Sequence, residues 1–385
     1  MTRWRVLIAP DSFKGSLSSV EVARALADGW RRGRPGDEVI IAPLADGGEG
    51  TLTAIEAGGG WEWQEVPATD PIGRPIRARW LRSTDGDHAV IELAAASGLS
   101  LVPRERRDPI GATTLGTGQV LRAVLDGGIR HIVLGIGGSA TTDGGAGILE
   151  ALGARFGPDG IDLAGLDTRL SETELRIACD VTNPLLGPRG AAATYGPQKG
   201  ATPDDVRELD HRLTLLADAL EAATGRRERE TSGAGAAGGT AFGLLCVRER
   251  FRSLALVPGV QLVMDETGLL DKLETANLVI TGEGSIDAQT AFGKTPLGVA
   301  RAAKACGVPC IAVGGGIDVE GIAALAECDA IVVPVAERPM TVEEAMAAGA
   351  VPLQRCGERL ARVTTLGARV KTPGSRGRAS NSRRP

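Results

Sequence analysis

The stretch RVLIAP at residues 5–10 is a short apolar run, and a polar loop and a helical-period segment at 20–32 follow it. This order is typical of a βα unit. The run VIIAP at 39–43 is followed in the same way by a loop and a predicted helix at 51–57. Three more apolar runs occur late in the chain, at 277–281, 308–313 and 329–334. Because apolar strands that alternate with helices form sheets covered on both faces, these five units predict a flavodoxin-like parallel sheet.

Between the two groups of units the pattern of the chain changes. Turn signals separate three apolar runs and predict an antiparallel meander with strands at 61–66, 76–81 and 89–93. Two further strands are predicted at 129–135 and 175–179. They alternate with predicted helices at 115–125, 144–152 and 203–223. We therefore expect a second α/β domain with a mixed sheet, inserted within the first.

The length and charge of the chain agree with two domains and restrict its partners. Its 385 residues exceed the roughly 250–300 at which a single core stops growing. We predict a first domain at 1–60 plus 261–366, an inserted domain at 61–260 and a disordered basic tail at 367–385. A net charge of −5 argues against nucleic-acid and membrane partners, since both favour a basic surface. No signal-peptide core or membrane-length apolar run is present in the sequence, and we expect a cytoplasmic protein.

Two polar loops directly follow the first two predicted strands. They are DSFKGS at 11–16 and ADGGEGT at 45–51. Loops at the carboxyl ends of parallel strands favour anionic ligands, because amides and helix N-termini converge there. Lys14 offers a charge to a phosphate or carboxylate, and Asp46 and Glu49 offer oxygen ligands to Mg²⁺. The alternative is that the acidic residues only accept hydrogen bonds from turn amides.

A glycine-rich loop, GIGGSATTDGGAG at 135–147, follows a predicted strand. Its first six residues fit the loose G-x-G-x-x-A pattern of dinucleotide sites, which occurs often by chance. The backbone amides around Gly137, Gly138 and Ser139 suit a phosphate nest equally well. A second glycine-rich run at 232–239 follows a charged segment instead of a strand, so it indicates close packing as readily as ligand binding.

The segment TGEGSIDAQT at 281–290 leads to a GKT triplet at 293–295. The triplet is similar to the end of a Walker A loop, but Ala288 replaces the glycine which that motif requires. What remains is a polar segment suited to Mg²⁺ and phosphate, with the side chains Glu283, Asp287, Gln289 and Lys294. Elsewhere, Asp180 ends a predicted strand as a candidate general base, with a buried turn carboxylate as the alternative, and Lys199 adds a further cation.

Together these loops resemble the bacterial glycerate kinases of the two-domain, non-Walker type. The matching stretches are APDSFKGS (9–16), LADGGEGT (44–51), GIGGSATTDGGAG (135–147), ACDVTNPLLG (178–187), YGPQKGA (195–201), GAGAAGG (233–239) and TGEGSIDAQT with GKTP (281–296). The resemblance implies a flavodoxin-like domain interrupted by a second α/β domain. It also implies phosphorylation of D-glycerate with ATP and Mg²⁺, mostly at the 2-hydroxyl, to give 2-phosphoglycerate and ADP. The resemblance leaves open whether the protein forms a homo-oligomer.

On this resemblance, glycerate and ATP meet in the cleft between the domains. We expect Lys14 to hold the glycerate carboxylate, Asp180 to orient or deprotonate the hydroxyl, and Lys294 or Lys199 to neutralise the phosphoryl group. The other expected ligand-binding residues are Ser12, Gly137, Gly138, Ser139, Asn183 and Gln289. The expected Mg²⁺ ligands, direct or through water, are Asp46, Glu283 and Asp287.

The sequence departs from the family pattern at two positions, and three alternatives stay open. Thr142 stands where the family commonly has Asn, and Ser285 where it commonly has Arg, whose planar fork Ser cannot replace. The first alternative is a kinase that forms 3-phosphoglycerate. The second is a hydroxy-acid dehydrogenase that uses the glycine-rich loop at 135–147. The third is a sugar-acid sensor without enzymatic activity.

Overall fold

The computed structural model of the protein describes residues 3–157, 160–290 and 294–369, with side chains described as far as residue 365. The predicted tail at 367–385 lies outside the described residues from residue 370 onward. Residues 367–369 are not part of a tail, because they continue the last helix. Among the described residues, no helix is both long and apolar enough to cross a membrane.

Strands and helices alternate along most of the chain. The strands are β1 (Arg5–Ile8), β2 (Glu38–Ile41), β3 (Trp61–Thr69), β4 (Pro75–Ser83), β5 (His88–Glu92), β6 (His131–Gly135), β7 (Arg155–Gly157), β8 (Gly160–Asp162), β9 (Glu174–Ala178), β10 (Ser253–Val257), β11 (Leu278–Ile286), β12 (Cys310–Ile317) and β13 (Ile331–Pro334). The helices are α1 (Ser19–Gly33), α2 (Thr51–Ala57), α3 (Ala94–Ser97), α4 (Leu115–Asp126), α5 (Ala146–Ala151), α6 (Ala191–Tyr195), α7 (Pro203–Thr224), α8 (Ala236–Cys246), α9 (Gly259–Glu266), α10 (Leu269–Glu274), α11 (Thr295–Ala305), α12 (Val319–Ala326), α13 (Val342–Ala347) and α14 (Val351–Arg369).

The first sheet has the order β2-β1-β11-β12-β13, and every neighbouring pair is parallel. Counted within the sheet, this is the 2-1-3-4-5 order of flavodoxin-like folds. The five strands are those that the apolar runs predict, although β11 and β12 extend several residues further than expected. The predicted flavodoxin-like parallel sheet is therefore confirmed.

Helices α1 and α14 cover one face of the first sheet. Helix α1 begins at a capping box formed by Ser18 and Glu21, and its apolar face packs on the sheet beside α14. Where the two helices cross, a Cβ added at Gly29 would lie 1.9 Å from the carbonyl oxygen of Gln354, and one at Gly357 would lie 2.3 Å from the backbone of α1. Only glycine allows so close an approach. Helix α14, which completes this face, is not predicted by the sequence patterns.

The second sheet has the order β10-β9-β6-β5-β4-β3. Strands β3, β4 and β5 pair antiparallel, as the meander predicts, whereas β5, β6, β9 and β10 pair parallel. The mixed sheet is therefore confirmed, and β10 is a strand that the sequence analysis missed.

The two sheets share an apolar core. Leu81, Val90, Val133 and Ala178 of the second sheet are buried with residues of α2, α9, α10 and α11, which cover the other face of the first sheet. The predicted division of the chain at 60/61 and 260/261 stays a prediction. Because α2 and α9 lie between the sheets, the loops at the ends of β2 and β9 are brought together.

Candidate active site

The loop after β2, residues 45–50, lies against the carboxyl ends of β6 and β9; we call it the Asp46 loop. A Cβ at Gly137 would lie 2.5 Å from the Cα of Gly48, and one at Gly259 would lie 2.0 Å from the carbonyl oxygen of Asp46. The amide of Gly137 also donates to the carbonyl of Gly47 at 3.4 Å. Gly137, which follows β6, and Gly259, which follows β10, therefore allow backbone contact with this loop. These contacts place Asp46 between the two sheets.

Asp46 is linked to the loop after β1. The Nζ of Lys14 lies 3.1 Å from Oδ2 of Asp46, and Oδ1 accepts a hydrogen bond of 3.2 Å from the amide of Gly48. The pair is open to solvent, with 77% of the Lys14 side chain exposed. The carboxylate of Asp46 raises the pKa of Lys14, so the lysine stays charged.

A cavity of about 590 Å³ opens beside this pair; we call it the larger cavity. Its polar and charged lining residues include Asp11, Ser12, Lys14, Asp46, Glu283, Ser285, Lys294, Thr295 and Arg338. Its apolar lining residues include Phe13, Leu17, Met340, Val342, Met346 and Leu353. The cavity therefore offers both charged groups and apolar side chains to a ligand.

Two carboxyl groups in the lining of the larger cavity are buried. Asp11 accepts a hydrogen bond of 2.6 Å from Oγ1 of Thr295, and burial nevertheless raises its pKa. Glu283 accepts a hydrogen bond of 2.7 Å from Oγ1 of Thr290, and burial raises its pKa to about 7. Asp11 lines this cavity although the sequence pattern favours a turn residue there, and its position just after β1 is the signal that marks it as a candidate.

Lys294 stands at the N-cap position of α11, just after the undescribed residues 291–293. Its Nζ lies 3.9 Å from Oε2 of Glu283 and 3.8 Å from Oδ1 of Asp287. Asp287 accepts the amide hydrogen of Gln289 at 2.8 Å. Gln289 itself is exposed and does not line either cavity described here.

A cavity of about 410 Å³ lies on the other side of Asp46; we call it the smaller cavity. Its lining includes Asp46, Gly137, Gly138, Ser139, Asp180, Tyr195, Gln198 and Lys199. The Oδ1 of Asp180 accepts a hydrogen bond of 2.8 Å from the amide of Gly259 at the start of α9. Burial raises the pKa of Asp180, which makes its carboxylate a stronger base.

Lys199 is a buried cation in the wall of the smaller cavity, with 2% of the residue exposed. Its Nζ donates to Oγ of Ser139 at 2.9 Å and to the carbonyl oxygen of Thr141 at 2.5 Å. Burial lowers the pKa of Lys199 to about 7. The lysine therefore supports the glycine-rich loop and orients Ser139.

Asn183 and Thr142 do not line either cavity. The Nδ2 of Asn183 donates to the carbonyl of Arg189 at 2.9 Å, and its Oδ1 accepts from the hydroxyl of Tyr195 at 2.8 Å. Asn183 therefore orients Tyr195, which does line the smaller cavity. Thr142 is buried, and among the described residues its hydroxyl has no hydrogen-bond partner. Ser285, the other departure from the family pattern, lines the larger cavity.

The expected Mg²⁺ ligands do not form one ligand set. Within 3–157, 160–290 and 294–369, no three His, Cys, Asp or Glu side chains are grouped closely enough to hold a metal ion. Asp46 and Glu283 line the larger cavity, whereas Asp287 reaches it only through Lys294.

The glycine-rich loop at 135–147 lacks the context of a dinucleotide site. Helix α5 begins only at Ala146, so the pattern from Gly135 to Ala140 does not open a helix. Its glycines instead allow contact with the Asp46 loop. The feature that motivated the dehydrogenase alternative therefore has a packing explanation.

Comparison with known proteins agrees with the resemblance in the loops. A model of the glycerate kinase family matches residues 6–365. Glycerate kinase of Halalkalibacterium halodurans is 44% identical over 380 residues, which cover 94% of this chain and 98% of that protein. Glycerate 2-kinase of Escherichia coli is 43% identical over 329 residues, covering 81% and 85%. A crystal structure of a protein assigned as glycerate kinase 2 from Salmonella typhimurium LT2 has a TM-score of 0.83 and 40% identity, and the match covers 96% of this chain and 100% of that one. The chain belongs to the glycerate kinase family.

Proposed function

We propose that this protein transfers the γ-phosphoryl group of ATP to the 2-hydroxyl of D-glycerate, giving 2-phosphoglycerate and ADP. The observation that carries the proposal is the position of Asp46, whose side chain borders both cavities. A donor in one cavity and an acceptor in the other would therefore meet at this carboxylate. The relative named glycerate 2-kinase supports the choice of the 2-hydroxyl.

The size and chemistry of the smaller cavity suit the acceptor. Glycerate is a small acid that needs polar partners on most of its surface, and the glycine-rich loop offers backbone amides and the hydroxyl of Ser139. We assign its carboxylate to these groups, with Lys199 behind Ser139. Asp180 lines the same cavity and is the candidate general base for the hydroxyl.

The larger cavity suits the nucleotide. Its lining carries the cations Lys14 and Lys294, and its apolar side chains, which include Phe13, Met340 and Met346, suit a purine ring. Lys14 lines this cavity and not the smaller one, so we assign it to the γ-phosphate instead of the glycerate carboxylate. This assignment differs from the expectation based on the sequence.

In the proposed step, the 2-hydroxyl oxygen forms a bond to the γ-phosphorus while the bond from that phosphorus to the bridging oxygen of ADP breaks. Asp180 accepts the hydroxyl proton and later releases it to solvent. The charges of Lys14 and Lys294 offset the negative charge of the transferring group. Charge stabilisation and positioning of this kind provide most of the catalysis of phosphoryl transfer.

Mg²⁺ fits the carboxylates that line the larger cavity, because carboxylate oxygens are the ligands it prefers. Asp46 and Glu283 line the cavity and would hold the ion together with phosphate oxygens and water. When bound, Mg²⁺ neutralises charge on the β- and γ-phosphates. A site with one or two protein carboxylates is usual for this ion in nucleotide-dependent enzymes.

Phosphorus NMR of a reaction with ATP, Mg²⁺ and D-glycerate tests the proposal. We expect the resonances of ADP and 2-phosphoglycerate to grow together in equal amounts. A 3-phosphoglycerate resonance would overturn the regiochemistry alone. Glycerate-dependent oxidation or reduction of a nicotinamide cofactor without ADP formation would favour the dehydrogenase, and glycerate binding without turnover would favour the sensor.

A further inference from the structure

Glu92 is a buried carboxylate that the proposed chemistry does not use. It is the last residue of β5 in the second sheet, and 8% of the residue is exposed. Its Oε1 accepts a hydrogen bond of 2.7 Å from the amide of Leu52, in the first turn of α2. The amides of Gly50 and Thr51 also face this carboxylate. The side chain therefore spans from the second sheet to a helix that packs on the first sheet.

Helix α2 has no cap of its own. Its N-cap residue is Gly50, which has a φ of 95° and no side chain to accept a hydrogen bond from the first turn. N-terminal amides of a helix lack partners within the helix, and a Ser, Thr, Asp or Asn at the N-cap usually satisfies one of them. Here Glu92, 40 residues away in sequence, takes that role.

The first turn of α2 is connected directly to Asp46. The amide of Thr51 donates to the carbonyl of Gly48 at 3.2 Å, and its hydroxyl donates to the same carbonyl at 2.8 Å. The amide of Gly48 in turn donates to Oδ1 of Asp46 at 3.2 Å. A short series of hydrogen bonds therefore runs from Glu92 to the side chain that borders both cavities.

We infer that Glu92 is a positioning residue of the transfer reaction, which fixes the Asp46 loop against the second sheet and so keeps Asp46 between the two cavities. The inference rests on the proposed function for the reaction that it affects. The placement of the loop does not depend on which substrate is bound.

Two replacements separate the acceptor oxygen from the rest of the side chain. Glu92→Gln keeps an oxygen for the amide of Leu52, whereas Glu92→Leu has a similar size and keeps none. We expect Glu92→Leu to lower kcat roughly tenfold or more, because a misplaced catalytic group slows the step far more than it weakens binding. Glu92→Gln should restore kcat to within about threefold of the parent chain, since its remaining oxygen can still cap the helix.

Trp61→Phe is the matched control for a general loss of stability. It removes the 3.1 Å hydrogen bond from Nε1 of Trp61 to the carbonyl of Glu266, a contact between the second sheet and the last residue of α9, whereas the Asp46 loop contacts the first residue of that helix. We expect this variant to melt at a lower temperature with an unchanged kcat. All kinetics are measured well below the melting temperature of each variant.

Hydrogen exchange of the amides at 48–52, followed by mass spectrometry without ligands, tests the placement separately. We expect faster exchange there in Glu92→Leu, and parent-like exchange in Glu92→Gln and Trp61→Phe. Faster exchange with a parent-like kcat would overturn the positioning role, and parent-like exchange in Glu92→Leu would overturn the structural link. If the parent chain does not phosphorylate glycerate, the proposed function fails while the exchange result still tests the link.

Discussion

The larger cavity buries acidic side chains, and the smaller cavity buries a basic one. In the larger cavity, the carboxyls of Asp11 and Glu283 are buried, while the lysines Lys14 and Lys294 are partly open to solvent. In the smaller cavity, Lys199 is buried, and the carboxylate of Asp180 is more accessible. Burial raises the pKa values of Asp11 and Glu283 and lowers that of Lys199. The difference predicts that stability responds to pH in opposite ways at the two cavities.

The largest expected effect concerns the accessible carboxylate of the smaller cavity. Asp180→Asn removes the base but keeps the acceptor for the amide of Gly259, so kcat should fall by roughly 10²–10⁴-fold. Steady-state kinetics with ATP and D-glycerate measure this. The control Asp265→Asn removes a charge from α9 without touching either cavity, and it should keep kcat. Near-normal turnover of Asp180→Asn would assign the base to another group.

The buried carboxyl of the larger cavity gives a pH-dependent effect on stability. Burial raises the pKa of Glu283 from 4.5 to about 7. Since this folded-state pKa lies above the unfolded one, the stability it contributes is fully present below pH 4.5 and is lost as the pH rises through 7. Glu283→Gln should therefore gain about 3 kcal/mol in free energy of unfolding relative to the parent between pH 4.5 and 7. Urea denaturation across this pH range measures the difference.

The buried lysine of the smaller cavity should behave in the opposite way. Burial lowers the pKa of Lys199 from 10.5 to about 7, so its contribution is present above pH 10.5 and is lost as the pH falls through 7. Lys199→Met should therefore gain free energy of unfolding relative to the parent chain as the pH falls. It should also bind glycerate more weakly, because Ser139 loses its contact with Lys199. The same urea series measures the change in stability. If both variants shifted in the same direction with pH, the contrast between the cavities would be wrong.

A partly exposed lysine of the larger cavity should have a moderate kinetic effect. Lys294→Met removes one charge beside Glu283, and we expect kcat to fall roughly tenfold, because solvent already weakens the interactions of an exposed charge. Lys304→Met is the matched control, because Lys304 lies on the same helix but pairs with Asp329 at the surface. This change should leave kcat unchanged. An equal effect of both changes would indicate damage to α11 instead of a lost charge.

The smallest expected effect concerns Ser285, where the resemblance to the family leads us to expect Arg. Ser285→Arg adds a guanidinium to the lining of the larger cavity, where it can form paired hydrogen bonds with a phosphate. We expect the KM for ATP to fall a few-fold and the KM for glycerate to stay the same. A change confined to glycerate would reverse our assignment of the two cavities.

Local patterns in the sequence predict the strands and the loops at their ends well, because strand and turn residues there carry the signal. Lys14, Asp46 and Lys294, from three separate loops, do all line the larger cavity. Strand β10 was missed because its five residues follow a charged segment, and its pairing with β9 is a long-range contact. Helix α14 was missed because its apolar face packs on α1, and local sequence patterns do not show a contact between such distant parts of the chain.

Side-chain direction and burial were harder to predict than position along the chain. Asn183 belongs to a matching stretch, but contacts with Arg189 and Tyr195 turn it away from both cavities. No sequence motif marks Glu92, because its hydrogen-bond partner Leu52 lies 40 residues away on α2. Both outcomes depend on three-dimensional neighbours that come from other parts of the chain.

The interrupted first sheet has a consequence for how the chain is made. Its interior strand β1 precedes the whole second sheet in the chain, whereas its neighbour β11 follows that sheet. The second sheet contains all of its own strands within one continuous segment, so it can fold during translation, while β1 has only β2 to pair with. Helix α14, which is translated after β13, then packs on α1. The strands of the second sheet are therefore all available before those of the first sheet.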